Sequence, residues 1–218
     1  KAIDQYEKAL RIDPLNPKVY LRLGQMYDQE GKSAEAITQL ESLLKIEPDS
    51  LEGMIELAYL YLKEDRAGEA ASLLEKRIAE GETHHELYFL LGLSYRTLER
   101  FEESLKAYQK SLELRPNLAR THFYIGSLHD QMGKVEEAVE AFKRALELDP
   151  DNPDVYNYLG YLYAERGIHL EEAVALVQKA LAIDPENGAY VDSLGWAYYR
   201  LGRYEEAERE IERAHQLL

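Results

Sequence analysis

Cysteine is absent from the 218-residue chain, which excludes disulfides, thiolate zinc sites and cysteine nucleophiles. That absence leaves the compartment open, because an oxidising space does not require cysteine. Positive charge is scarce: Lys plus Arg number 26 against 41 Asp plus Glu, a net charge of −15. Such a balance argues against binding a phosphate backbone, which needs basic surface to displace counterions. No apolar run approaches the ~20 residues that span a bilayer, so no membrane span is expected. No basic stretch followed by an apolar one opens the sequence, so no signal peptide is read there. Phenylalanine (4), tryptophan (1) and proline (7) are also few. Against these stand 17 tyrosines and an apolar share of 45%, the composition of a packed core and not of a disordered acidic chain.

Self-similarity organises the rest. Gly24, Ala58, Gly92, Gly126, Gly160 and Gly195 are spaced 34, 34, 34, 34 and 35 residues apart. Three residues after each stand Tyr27, Tyr61, Tyr95, His129, Tyr163 and Tyr198. Twelve after the first four come Ala36, Ala70, Ser104 and Ala138, and the series resumes at Ala173 and Ala207 after one extra residue near His169. Pro14, Pro48, Pro116, Pro150 and Pro185 close five units. A fixed period of this length signals a repeat architecture.

These spacings, and stretches such as "YLRLGQMYDQEGKSAEAITQLESLLKIEP" and "VYNYLGYLYAERG", identify the chain as a member of the tetratricopeptide repeat (TPR) family. The resemblance implies an all-α, right-handed superhelical TPR solenoid of helix-turn-helix repeats. It covers 1–218 as a single solenoid: residues 1–16 as the second helix of a partial repeat, then 17–50, 51–84, 85–118, 119–152, 153–187 and 188–218. The tail "GAYVDSLGWAYYRLGRYEEAERE" also resembles the last repeats of bacterial TPR proteins, including outer-membrane lipoprotein adaptors. That points to a bacterial periplasmic or outer-membrane-associated protein, with the cytoplasm as the alternative.

Helix geometry leads to the same architecture. At about 100° per residue, repeat positions 4, 7, 8 and 11 fall within about 100° of one another. In repeat 85–118 these are Tyr88, Leu91, Gly92 and Tyr95, and the second helix has its own stripe at Ser104, Tyr108 and Ser111. One hairpin cannot bury both stripes, so repeats must stack. Gly31, Gly133, Gly167 and Gly202 stand where the inter-helix turn needs φ > 0. The prolines are expected to start the next repeat, and Asp and Asn of "DPDNPDVY" and "EPDS" to cap it. Two departures stand out. Repeat 51–84 ends "AEGETHHE" without proline and has Asp65 at its turn, which predicts a looser junction. The extra residue beside His169 is expected to lengthen one inter-helix turn as a tolerated insertion. The sequence opens mid-repeat without Met and ends without a polar solvating helix. The expectation is therefore a piece of a longer protein, with any targeting signal outside it.

Chemistry has no visible seat, and no catalytic residue, cofactor site or metal site is assigned. His122 and His129 occupy core positions on one helix and are expected to fill tyrosine-like space, not to bind metal. His84 and His85 are expected in an exposed loop. The glycines are single and set by the repeat, not grouped as a phosphate loop. The Glu pairs at 102–103, 136–137, 171–172 and 205–206 open second helices, where they suit the positive end of the helix dipole.

The informative residues lie opposite the buried stripe, at repeat positions that line the concave groove in TPR solenoids. In order these are Leu21; Ile55, Tyr59 and Leu62; Phe89, Leu93 and Arg96; Phe123 and Tyr124; Asn157, Tyr158 and Tyr161; and Asp192, Trp196 and Tyr199. Stacking does not need this face, yet it is apolar and aromatic from repeat 51–84 onward. Contiguous apolar surface and aromatic hot spots mark binding sites. TPR domains that clamp acidic chaperone tails carry Lys at position 5 and Asn at position 9; the pairs here include Phe89/Leu93 and Asp192/Trp196, and none fits.

The expected function is a non-catalytic protein-interaction scaffold. It would hold a protein or peptide segment of apolar or aromatic, and by charge neutral or basic, character. Replacing Phe89 and Phe123 with Ala is expected to abolish binding. Two alternatives stay open. One is self-assembly through solenoid ends, with Ile3, Tyr6 and Leu10 at one and Ile211, Ala214, Leu217 and Leu218 at the other. The other is a recruiting arm of a larger enzyme.

Overall fold

The structure, a computed structural model, describes residues 2–217, and these form thirteen α-helices. Helix α1 (Ala2–Ile12) stands alone at the start. Six hairpins follow: α2 (Pro17–Gln29) with α3 (Ser33–Ile46), α4 (Leu51–Lys63) with α5 (Ala67–Ala79), and α6 (His85–Thr97) with α7 (Phe101–Leu114). Then come α8 (Ala119–Gln131) with α9 (Val135–Leu148), α10 (Pro153–Arg166) with α11 (Leu170–Ile183), and α12 (Gly188–Leu201) with α13 (Tyr204–Leu217). The helices group into two compact units, one ending at Pro116 and the other starting at Asn117. Within each, successive hairpins pack on one another as TPR solenoid, each unit burying its own apolar stripes.

Helix α9 shows how the sequence builds an element. Glu136 and Glu137 occupy its first turn, where the helix dipole favours negative charge. Ala138, Ala141, Phe142 and Ala145 recur three or four apart, or side by side, and are all buried. Phe142 then meets Gly126 of α8: a Cβ on that glycine would lie 2.8 Å from the ring. The same close approach pairs Gly92 of α6 with Tyr108 of α7, at 2.5 Å.

One hydrogen bond repeats at the turn inside every hairpin. The N–H of Lys32, Arg66, Arg100 and Lys134 donates at 2.8 Å to the carbonyl of Tyr27, Tyr61, Tyr95 and His129 respectively. Ile168 to Tyr163 (3.0 Å) and Arg203 to Tyr198 (2.9 Å) complete the series. This closing bond needs a left-handed residue inside the loop. Gly31, Gly133, Gly167 and Gly202 supply it, but Asp65 (φ 56°) and Glu99 (φ 57°) must adopt it with a Cβ. A side chain in that region costs about 1–2 kcal/mol, part of which is offset because glycine loosens the unfolded chain. Glu99→Gly is therefore expected to stabilise the N-terminal unit by about 0.5–1 kcal/mol. Thermal melting checks this, and a lowered midpoint would contradict it.

The same tyrosines tie neighbouring hairpins together. Tyr27 donates to Glu7 (2.8 Å), Tyr61 to Glu41 (2.9 Å) and Tyr95 to Glu75 (2.7 Å), always twenty residues back. In the C-terminal unit Gln178 donates to the Tyr198 hydroxyl at 3.0 Å. Arg66, Arg100 and Arg203 lie over the rings of Tyr61, Tyr95 and Tyr198 at 4.5, 4.2 and 4.7 Å. Each also pairs with the glutamate three residues on, Glu69, Glu103 and Glu206. Burial first, and then the hydrogen bond to a carboxylate, push the phenols of Tyr61 and Tyr95 up to about 12. An unfolded phenol titrates near pH 10. The native state thus holds these protons more tightly, and their contribution is complete below about pH 10 and lost as pH rises towards 12. Alkaline unfolding followed by circular dichroism is expected to begin in that window, and Tyr61→Phe/Tyr95→Phe is expected to flatten the loss. An unchanged alkaline profile in the double variant would contradict this.

Several local expectations are corrected. The five closing prolines lie in the turns after the second helices; Pro17 and Pro153 are the ones at a first helical position. Asn152 and Asn187 cap α10 and α12 by accepting from Val155 N (3.3 Å) and Tyr190 N (3.4 Å), but Asp49 of "EPDS" pairs with Arg77 and α4 has no side-chain cap. The extra residue beside His169 lies in the α10–α11 turn: Gly167 follows α10 just as Gly202 follows the equally long α12, but three residues separate α10 from α11 and two separate α12 from α13. His169 takes a left-handed conformation (φ 47°) with its ring 5.0 Å from Tyr163. At the junction of repeat 51–84, Gly81 (φ 104°) follows α5, and Arg77 joins the flanking turns through Asp49 (2.7 Å), Glu80 (3.3 Å) and Glu82 (3.6 Å). His84 and His85 are half-buried, not in an exposed loop. His84 caps α6 by accepting from Glu86 N, and the two rings lie 4.5 Å apart.

Candidate protein-binding surface

The first helix of each hairpin buries one side against its partner and turns another outward. In the N-terminal unit, Tyr59, Leu62 and Lys63 of α4 and Leu93, Arg96 and Thr97 of α6 line a cleft of about 270 Å³. Four of these are residues expected from the sequence. Tyr59 is 54% exposed, whereas Ile55, Leu62, Leu93 and Arg96 are half-buried. Leu21 of α2 is half-buried too. Lys63 reaches across to Asp28 at 2.7 Å, which ties α4 to α2.

Phe89 departs from expectation. It is 4% exposed, its ring 5.9 Å from that of Tyr108, and its neighbour Leu90 is also buried. Backbone angle alone puts position 5 on the outward face, but the phenyl ring folds back towards Tyr108 of α7. Phe89 is a core residue, and its replacement by Ala tests stability.

The C-terminal unit is richer in aromatic side chains. Phe123 packs among Tyr124 (5.3 Å), Phe142 (5.8 Å) and Tyr158 (5.0 Å), and both Phe123 and Tyr124 are half-buried. Tyr158, Tyr161 and Tyr199 are 47%, 39% and 49% exposed. Trp196 stacks on Tyr199, with ring centres 5.5 Å apart and planes inclined by 18°. Tyr161 of α10, Asp192 and Trp196 of α12, and Ile211 of α13 enclose a second cleft of about 240 Å³. Burial, reinforced by the carboxylates of Glu165, Asp192 and Asp130, raises the Tyr161 phenol above its ordinary range. Four buried polar atoms of this unit, Thr121 Oγ1, His129 Nδ1, Asn157 Oδ1 and Trp196 Nε1, have no hydrogen-bond partner among the described residues.

Nothing among the described residues groups His, Asp and Glu as a metal site. His122 and His129 are half-buried on α8, and burial lowers the His129 pKa, which keeps the ring neutral at pH 7. No helix is long and apolar enough to cross a membrane among the described residues. Of the apolar residues expected at the ends, Ile3, Tyr6 and Leu10 are half-buried and Ala214 is buried. Ile211 and Leu217 are exposed, and Leu218 lies outside the described residues.

Repeated helix hairpins stacked on one another define an all-α repeat protein. Tetratricopeptide repeat profiles match residues 1–52, 29–92 and 169–216, with further matches at 85–118 and 130–167. The chain belongs to the tetratricopeptide repeat family, whose members usually mediate protein–protein interactions and are usually non-catalytic. No curated protein matches the sequence. Among solved structures it is similar to the thermophilic TPR protein TTC0263 of Thermus thermophilus, at 25% identity and TM-score 0.68, over 89% of this chain and 100% of that one. It is similar to YrrB, described as a TPR protein with an unusual peptide-binding site, at 22% identity and TM-score 0.61, over 85% and 95%. It also resembles the APC/C hetero-tetramer Cut9-Hcn1, at 16% identity and TM-score 0.82, over 97% of this chain and 42% of that one.

Proposed function

We propose that the chain is a non-catalytic scaffold that holds a partner's polypeptide segment on the outward face of its first helices. The observation that carries this reading is the set of exposed tyrosines, Tyr59 in one unit and Tyr158, Tyr161 and Tyr199 in the other. Large aromatic side chains grouped on one exposed face mark an interaction surface. The two clefts have volumes of about 270 and 240 Å³. YrrB, a structural neighbour, is described by its peptide-binding site, which supports a peptide as the ligand class.

The test is peptide selection on the wild type, followed by titration of the selected peptide into a Tyr158→Ala/Tyr161→Ala/Tyr199→Ala variant. Binding is expected to be lost with the helical content retained.

A further inference from the structure

The two clefts differ in charge, and the difference names a ligand. In the N-terminal unit the cleft is flanked by Lys63 and Arg96. In the C-terminal unit the lining charge is Asp192, an exposed carboxylate, and Glu165 lies one helical turn beyond Tyr161 on α10. Two arginines also stand on this face. Arg166 is taken up by Asp130 at 2.7 Å, and Arg200 donates to the Glu165 carbonyl at 2.6 Å while lying 5.5 Å from the Trp196 ring centre. The face therefore already holds one guanidinium against Trp196, and both arginines are engaged within the chain. Carboxylates outnumber arginines here, and the whole chain adds a net charge of −15.

We infer that the cleft between Tyr161, Asp192 and Trp196 takes a basic side chain, arginine or lysine, from a partner segment whose flanking residues are apolar. This rests on the scaffold reading above and adds the chemistry of the partner. An arginine fits the cleft in two ways. Its stem lies along Trp196 and Ile211, and its guanidinium meets the Tyr161 face and the Asp192 carboxylate together. A glutamate or aspartate in the same place would face Asp192 and Glu165.

The probe is a set of capped heptapeptide pools, apolar and randomised on both sides of a fixed central residue: arginine, its neutral isostere citrulline, or glutamate. Trp196 is the chain's single tryptophan, so its fluorescence reports binding at this cleft. The arginine pool is expected to bind about tenfold tighter than the citrulline pool at low ionic strength. The glutamate pool is expected to bind weakest, and added salt to narrow the gap. Asp192→Asn is expected to shrink the ratio of arginine to citrulline affinity towards one, since the amide keeps the shape of the carboxylate and loses its charge. Equal affinity for the arginine and citrulline pools would overturn the basic-ligand assignment and leave the scaffold reading standing. Absence of binding by every pool to a folded protein would overturn both.

Discussion

Phe142→Ala is expected to lower the stability of the C-terminal unit by about 3–5 kcal/mol, the usual loss for a buried aromatic ring. The ring is 1% exposed and is the common neighbour of Phe123 and Tyr158. It also fills the space that Gly126 leaves open. Gly126→Ala would drive a methyl group to 2.8 Å from that ring, so overpacking of about 1–3 kcal/mol competes with the gain in helix propensity of about 1 kcal/mol. The two changes are coupled because they contest one volume. With the ring removed, the methyl group introduced by Gly126→Ala enters the cavity, and the double variant is expected to be no less stable than Phe142→Ala alone. Denaturant unfolding of the wild type, both single variants and the double variant measures this. Losses that simply add would contradict the close approach of α8 and α9.

The second large effect is on binding. Tyr158, Tyr161 and Tyr199 are each substantially exposed, so truncating them removes little core. As interface anchors, each is expected to cost about 2 kcal/mol of affinity when replaced by Ala, roughly a thirtyfold loss. The triple variant is expected to bind at least about a hundredfold more weakly, less than the full product because neighbouring hot spots do not add. Its melting midpoint is expected to stay close to that of the wild type. Phe89→Ala provides the contrast: a ring 4% exposed against Tyr108 affects melting, with binding in the C-terminal unit unaltered.

Much of the fold is legible in the sequence because its period is enforced by packing. Gly92, Gly126 and their counterparts recur since a larger residue would strike the second helix, and Tyr27, Tyr61 and Tyr95 recur since each bonds a carboxylate twenty residues back. Helix number and pairing follow. The outward face is legible in part. Backbone periodicity places a Cα, not the ring attached to it, which is why Phe89 reads as exposed and lies in the core. The roles of Arg77 and His84 depend on contacts between turns far apart in sequence, or on a cap that histidine seldom provides. The extra residue beside His169 is legible as a turn insertion, because Gly160 to Gly167 keeps the spacing of Gly195 to Gly202 and the added residue falls after it. Glu99 in a left-handed turn is readable after the fact, since it stands where other repeats have glycine.

The most direct test of the scaffold is to locate a bound peptide by photo-crosslinking. A benzophenone side chain would be placed at Tyr199 on the outward face of α12, and in a separate protein at Glu140, an exposed position on α9. A peptide selected on the wild type is expected to cross-link through position 199 and not through position 140. Cross-linking through position 140 alone, with none at 199, would contradict the assignment of the first-helix face as the binding surface.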